Sequence, residues 1–412
     1  RMKSPDQDDY STVFLANLLI SVCVYLLLFV AAPYISEFYG EPILTMVIRL
    51  YTLGFIIYAF KAIHITKLSK ELNFKKIATL NIPGILVSSI LAIWMANNGY
   101  GVFSLVGLFL TNQFISCVLF NLLNKRFLKI RFTKEKWRYH FNFGYKLMLS
   151  AQINILFDNI YNVWIGKGYT KRELGFFERS QTFNSYPSQV VVELLSKVSL
   201  PAFASVKDDH QRVELAYKKV MMMAFFIMCS IMSIGAGLAE PLFGLILGET
   251  WLPAVEFFRI LALAYVLFPI HSLNINLLSL FDRSDLFLKL EIAKKIITVA
   301  SLALGYFFGI EGLLWSIVLS SYIGLFINAF YSGKFINYSF LAQVKDMLPI
   351  FIMALGVYAA LHFLQLHFAL SDVWSIVIFG VLGCFIIVAF SWLTNRKPFF
   401  DLLNIFKILL SK

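Results

Sequence analysis

Two stretches of the chain set polar and ionisable side chains at helical spacing inside apolar surroundings. Ser150, Asn154, Asp158 and Asn162 recur every four residues and so share one helix face. Glu178, Thr182, Gln189, Glu193 and Lys197 trace a second stripe, with Arg179 beside it and Pro187 able to bend the helix midway. Arg49, Glu256 and Arg259 are charges inside other apolar runs, and Asn274 and Asn276 follow further along the last of these. Charged groups at bilayer depth are costly and face a bundle interior or a water-filled cavity. Two readings stay open. The first is a hydrated cavity lined by Arg49, Asn154, Asp158, Asn162, Glu178, Arg179, Gln189, Glu193, Lys197, Glu256 and Arg259, whose cations receive an anionic substrate. The second is a set of hydrogen bonds and ion pairs that only hold helices together, with Glu193 neutralising Lys197 and Glu256 neutralising Arg259 one turn apart.

Other chemistries find no support. The run GKGYTKR (166–172) has a lysine but lacks the glycine spacing of a phosphate-binding loop, so the chain by itself is no ATP-driven pump. Neither H-E-x-x-H nor G-x-S-x-G occurs. The six histidines are scattered, and His271 reads as a packing residue. Cys23, Cys117, Cys229 and Cys384 each sit alone in apolar runs, with no metal or disulfide spacing. The expectation is therefore a protein with no catalytic residues, no metal and no cofactor.

The elements that must position the stripes follow from composition. Of 412 residues, 59% are hydrophobic and 15% charged, and mean hydropathy is +0.74. Soluble chains are typically about 45–50% apolar and about 25% charged. This is the composition of an all-α polytopic membrane protein. Apolar windows long enough to cross a ~30 Å hydrocarbon core predict twelve spans, at 11–32, 42–63, 78–97, 102–123, 143–165, 174–199, 217–239, 253–278, 286–308, 311–331, 347–366 and 372–394. The sixth is nearly as polar as it is apolar.

The net charge of +12 points not to nucleic acid but to the positive-inside bias. Alternate loops, with both ends of the chain, carry 29 of the 36 Lys and Arg, whereas 34–41, 98–101 and 240–252 carry none. Both ends of this chain are thus expected on the cytoplasmic side. A weak internal repeat is also visible. AAPYISEFYGEP (31–42) resembles AEPLFGLILGET (239–250), pairing Pro33 with Pro241, and NNGYGVFSLVGLFL (97–110) resembles FFGIEGLLWSIVLS (307–320). Six spans per half keep both halves in one orientation, a parallel repeat. Extending the period backwards predicts two further helices before Arg1. The expected organisation is an N-terminal lobe (1–124, four of six spans present), a cytoplasmic basic linker (125–141), a C-terminal lobe of six spans (142–335), a final helix pair (336–395) and an interfacial tail (396–412).

The run FGYKLMLSAQINILFDNIYNVWIGKGYTKRELGFFERSQTF (143–183) resembles the start of the second lobe in polysaccharide flippases of the MOP superfamily. There a helix with a central Asp-Asn leads into Ile-Gly-Lys, a short outer loop and a Leu-Gly-aromatic-aromatic start to the next helix. VSLPAFASV (198–206), LAEPLFGLILGETWLPAVEFFRILAL (238–263) and LNFKKIA (72–78) extend the likeness to the colanic-acid and teichuronic-acid exporter branch, with PAFASV departing from the family's shorter turn. The resemblance implies a V-shaped transporter in the bacterial cytoplasmic membrane. It would move an undecaprenyl-pyrophosphate-linked oligosaccharide to the outer leaflet by alternating access. Asp158 would be its best-supported site residue, with membrane lipids, H+ or Na+, and polysaccharide assembly proteins as partners. The alternatives are an ion-coupled small-molecule antiporter of the same superfamily, a lipid-linked peptidoglycan-precursor flippase, and a membrane-embedded polysaccharide polymerase or ligase. The last would need a larger outer loop.

Overall fold

The computed structural model describes residues 6–123, 131–204, 209–281, 283–368, 370–394 and 396–410, and every element among them is helical. The chain divides into two units, Arg1–Asp158 and Asn159–Lys412. The expected all-α polytopic fold is what is observed. Nine of the described helices or helix pairs are long and apolar enough to cross a membrane. The three other expected crossings, 143–165, 174–199 and 286–308, are helical but too rich in polar residues to meet that standard.

The first unit contains α1 (Gln7–Tyr39), α2 (Ile43–Lys70), α3 (Phe74–Asn97), α4 (Phe103–Leu123) and α5 (Lys134–Asp158). α2 packs on α1 and α4, and α3 on α4. Gly54 makes the α2–α4 approach possible, since a Cβ there would lie 2.2 Å from the Phe109 ring, which stacks on Tyr51 at 4.0 Å. Lys61 lies inside α2, buried, with its ammonium 5.5 Å from the Tyr58 ring. At the other end of α1, Asp9 is held by Lys136 (3.3 Å) and His140 (3.0 Å) of α5, and Asp6 also pairs with Lys136. Lys136 holds the Asp6 carboxyl down to about 2. Because that value lies below the usual carboxylate range, the contact is at full strength above about pH 4 and is lost only as pH falls towards 2.

The second unit contains α6 (Ile160–Gly168), α7 (Lys171–Ala204), α8 (His210–Gly237), α9 (Ala239–Leu247) and a 3-10 turn (Glu249–Trp251). It continues with α10 (Ala254–Tyr265), α11 (Phe268–Leu280), α12 (Ser284–Tyr306), α13 (Gly309–Gly333), α14 (Phe340–His367), α15 (Asp372–Leu393) and α16 (Lys397–Leu410). The basic run that resembled a phosphate loop is a helix start: Thr170 and Glu173 form reciprocal hydrogen bonds of 2.9 and 3.2 Å, a capping box opening α7. The eighth predicted span is a pair, α10 and α11. Pro269 sits in the first turn of α11, where its missing N–H is tolerated, while Phe268 before it is biased away from helix. The core of the unit gathers around α8, with Tyr217, Met221, Phe225 and Met228 fully buried. His271 packs as expected, between Ser321 (3.2 Å) and Asn328 (3.3 Å). The tail helix α16 rests on α8 through Asp401–Lys219 (2.8 Å) and Phe399–Phe226.

α7 has two unlike faces. Ser180, Asn184 and Ser188 are buried and four residues apart; Ser180 and Asn184 donate to the carbonyls of Ala254 (2.7 Å) and Phe258 (3.1 Å), and the Ser188 hydroxyl donates to the Asn184 carbonyl of its own helix (2.9 Å). With about 3.6 residues per turn, Glu178, Gln189 and Glu193 fall roughly opposite and are exposed. Interhelical hydrogen bonds within membranes are worth about 0.6–2 kcal/mol. Asn184→Ala should therefore lower unfolding stability by about 1 kcal/mol, read by thermal unfolding in micelles, whereas Gln189→Ala should leave it within error.

Candidate functional site

The charged residues singled out by the sequence separate into three places. In the first unit, Arg49 of α2 donates from Nε to the carbonyl of Phe29 (3.3 Å), with its guanidinium 4.1 Å above the Phe29 ring. Phe29 lies four residues before Pro33, inside α1, so its carbonyl has no helical N–H partner. Arg49 supplies it. Asn154 and Asp158 lie exposed along α5.

In the second unit the last residue of the first stripe, Asn162, meets the second stripe. The predicted helix across 143–165 breaks at Asn159, and Asn162 of α6 donates to Asn159 Oδ1 (3.3 Å) and to Glu178 Oε1 of α7. Arg179, Gln189 and Glu193 lie exposed on α7. Lys197 and Ser150 lie on helices, but their side chains fall outside the described residues.

The third place is a cleft around Arg259. Its Nε donates to the carbonyl of Ala236 near the end of α8 (3.3 Å), and Nη2 reaches Glu240 Oε1 (2.9 Å) and His362 Nδ1 (3.3 Å). His362 accepts that bond as its Nε2–H tautomer. Its ring stacks on Tyr358, with centroids 5.7 Å apart. The partner of Arg259 is thus Glu240, and the i, i+3 pairing with Glu256 offered by the packing reading does not form. Glu256 and Arg259 instead wall two adjoining cavities. One of about 460 Å³ is largely apolar, bounded by Met232, Leu263, Trp315, Phe351 and Tyr358. The other, of about 550 Å³, is polar and adds Glu240, Glu249, Gln365 and Asp372. Asp372 reaches this wall because α9 has glycine at 244, where a Cβ would lie 2.9 Å from the carboxylate. Among the described residues no group of three His, Cys, Asp or Glu has the geometry to hold a metal.

Arg49 and Arg259 each give Nε to a main-chain carbonyl of a neighbouring helix, that of Phe29 four residues before Pro33 and that of Ala236 five residues before Pro241, at the same 3.3 Å. The residues that sequence reasoning missed are Glu240, Tyr358, His362, Gln365 and Asp372. The sequence did hold a signal for three of them, since Tyr358, His362 and Gln365 follow an i, i+4, i+7 spacing within one apolar span.

Residues 1–256 match the family described as "Polysaccharide biosynthesis protein". The chain belongs to this family. The resemblance to MOP-superfamily polysaccharide flippases therefore holds, and the protein is a multi-pass membrane member of the polysaccharide biosynthesis family. It is 23% identical to the teichuronic acid biosynthesis protein TuaB of Bacillus subtilis, over 67% of this chain and 58% of that protein. Against the succinoglycan biosynthesis transport protein ExoT of Rhizobium meliloti, identity is 22% over 88% of this chain and 74% of that one. Against the lipopolysaccharide biosynthesis protein WzxC of Escherichia coli it is 19%, over 72% and 61%. The aligned stretch thus spans less than two thirds of TuaB and WzxC. The fold is shared with the lipid II flippase MurJ in an inward closed conformation, at a TM-score of 0.72 over 96% of this chain and 86% of that one, with 16% identity.

The proline–arginine pairing in this polysaccharide biosynthesis protein is open to a double-mutant cycle. Arg49→Leu should cost about 1 kcal/mol of stability while Pro33 is present. In a Pro33→Ala background, where the residue-33 N–H again serves the Phe29 carbonyl, most of that cost should vanish.

Proposed function

We propose that this protein is a flippase, not an enzyme, that carries a lipid-linked oligosaccharide repeat unit across the bacterial cytoplasmic membrane during polysaccharide assembly. The observation carrying this reading is the wall formed by Glu256 and Arg259, with an apolar cavity on one side and a polar one on the other. An amphiphile with a charged, sugar-bearing head and a hydrocarbon tail needs both environments side by side, at a site reached from the bilayer. Relatives named for teichuronic acid, succinoglycan transport and lipopolysaccharide support the polysaccharide side of the reading, and the MurJ fold supports the flipping side. Two parallel lobes followed by a final helix pair, rocking in a V about a midplane site, would give alternating access. The exposed stripe of α7 (Glu178, Arg179, Gln189, Glu193) with Asn162, and Asn154 and Asp158 of α5, would line the path. Lys197 and Arg49 would add cations for the diphosphate. Proton or sodium coupling through Asp158 or Glu193 belongs to the same proposal, as do both ends of the chain on the cytoplasmic side.

The test is made on spheroplasts of a strain lacking the gene, using an impermeant sugar-modifying enzyme to ask which leaflet holds the lipid-linked unit. A complete repeat unit that accumulates shielded from the enzyme is the expected result. Normal outward-facing units with only polymer missing would instead indicate a polymerase or ligase. In complemented cells Arg259→Gln removes the charge and should cut the outward-facing unit about tenfold, the equivalent of about 1.4 kcal/mol.

A further inference from the structure

Among the described residues, Lys61 of α2 is the one lysine or arginine that is buried, and no step of the proposed transport uses it. Arg259, Arg49 and Lys294, half-covered in spans, each have an oxygen acceptor: Glu240 and the Ala236 carbonyl, the Phe29 carbonyl, and Glu291. Lys61 has neither an ion pair nor a hydrogen bond among the described residues. Its contact is the face of the Tyr58 ring, 5.5 Å from the ammonium. An ammonium carries three donors, and charges at bilayer depth are paired or face water, so this one calls for an acceptor from outside. The seat is fixed around the stem and open at the tip. Asn121 of α4 pins that helix to α2, its amide nitrogen donating to the carbonyls of Cys117 (2.8 Å) and Phe60 (3.4 Å) and its oxygen receiving Nε2–H of His64 (3.2 Å). Lys61 nevertheless keeps 6% of its surface, and its ammonium nitrogen is not sealed, emerging beside the exposed Tyr58 ring.

Tyr58 is also the end of a stripe. Tyr51, Phe55 and Tyr58 follow one another at i, i+4 and i+7 along α2, and all three are exposed. Beyond Lys61 the chain runs into 64–76, where Lys67, Lys70, Lys75 and Lys76 stand against Glu71, the balance expected of a cytoplasmic loop. A row of rings that ends on an unpaired cation, at the basic end of a span, fits an amphiphile with an anionic head and hydrocarbon chains. Basic pockets between membrane helices on the cytoplasmic side bind anionic head groups. One ammonium balances the single negative charge of a phosphodiester, which favours a glycerophospholipid over a polyprenyl diphosphate. We propose that Lys61 with Tyr51, Phe55 and Tyr58 forms a seat for one anionic phospholipid of the cytoplasmic leaflet, its phosphodiester on the Lys61 ammonium and an acyl chain along the rings. The inference stands apart from the flippase reading and needs only that α2 crosses the bilayer.

The experiment is native mass spectrometry on the full chain in micelles, with dioleoyl-phosphatidylglycerol, dioleoyl-phosphatidylcholine and undecaprenyl phosphate as probes. Phosphatidylglycerol should be retained at least about fivefold more than phosphatidylcholine. Lys61→Met keeps the stem and removes the charge, and should bring the two lipids to equality, while Lys61→Arg should keep the preference. Lys75→Gln, at an exposed position of the same basic stretch, should leave it unchanged. Tyr58→Leu, at an exposed position that spares the core, should about halve the retention and serves as the readout should Lys61→Met fail to fold. Added phosphatidylglycerol should raise the thermal midpoint of the wild type but not that of Lys61→Met. The proposal is overturned by equal retention of the two phospholipids on the wild type, or by a preference that survives both Lys61→Met and Tyr58→Leu. It is equally overturned by a loss in Lys75→Gln as large as that in Lys61→Met (diffuse surface charge), or by undecaprenyl phosphate displacing phosphatidylglycerol at equal concentration (a seat for the polyprenyl carrier).

Discussion

In a hydrocarbon medium no water is at hand to satisfy a backbone carbonyl, and this constraint governs where the polar side chains of the chain go. Pro33, inside a span, orphans the carbonyl of Phe29, and Arg49 takes it. Arg259 serves the carbonyl of Ala236, in the last turn of α8, where a helix runs out of its own donors. Side chains that look in sequence like solitary intramembrane polar groups are thus partly committed to the backbone of a neighbouring helix, and what they offer a substrate is the remainder of their hydrogen-bonding capacity.

The two faces of α7 follow from this division. One face carries short side chains, Ser180 and Asn184, because reaching a carbonyl on a closely packed helix requires a short arm. The other carries Glu178, Gln189 and Glu193, which are exposed. A single helix thereby holds its place by one polar stripe and presents another.

Periodicity made the all-helical architecture and nine of the crossings legible in the sequence, whereas the stripe predicted over 150–162 is divided by the break at Asn159. Partners far apart in sequence were not legible. Glu240 sits 19 residues before Arg259 in what reads as a featureless outer loop, and His362 lies 103 residues after it in an apolar run. Nothing local in either segment encodes their convergence. It arises from α9, α10 and α14 each packing on α8. The breaks at Asn159 and between Tyr265 and Phe268 escaped notice for a different reason: hydropathy averages over a window of about 19 residues and passes smoothly across a one- or two-residue interruption.

The geometry of Arg259 also explains how one guanidinium can be both fixed and available. Nε is tied to a main-chain carbonyl, which sets the plane of the fork without using its outer edge. Nη2 is paired with Glu240, whose side chain is 47% exposed. An ion pair with so exposed a member is worth only about 0–1 kcal/mol, so on the proposed function an anionic headgroup would displace Glu240 at little expense. The displaced carboxylate already lines the neighbouring cavity and needs no new environment. A deeply buried pair could not behave this way, because stripping one partner would strand the other at a penalty of about 3–5 kcal/mol. On the proposed function, the half-exposed placement of Glu240 beside the well-covered Arg259 is what would let the wall between the apolar and polar cavities exchange an internal anion for an external one.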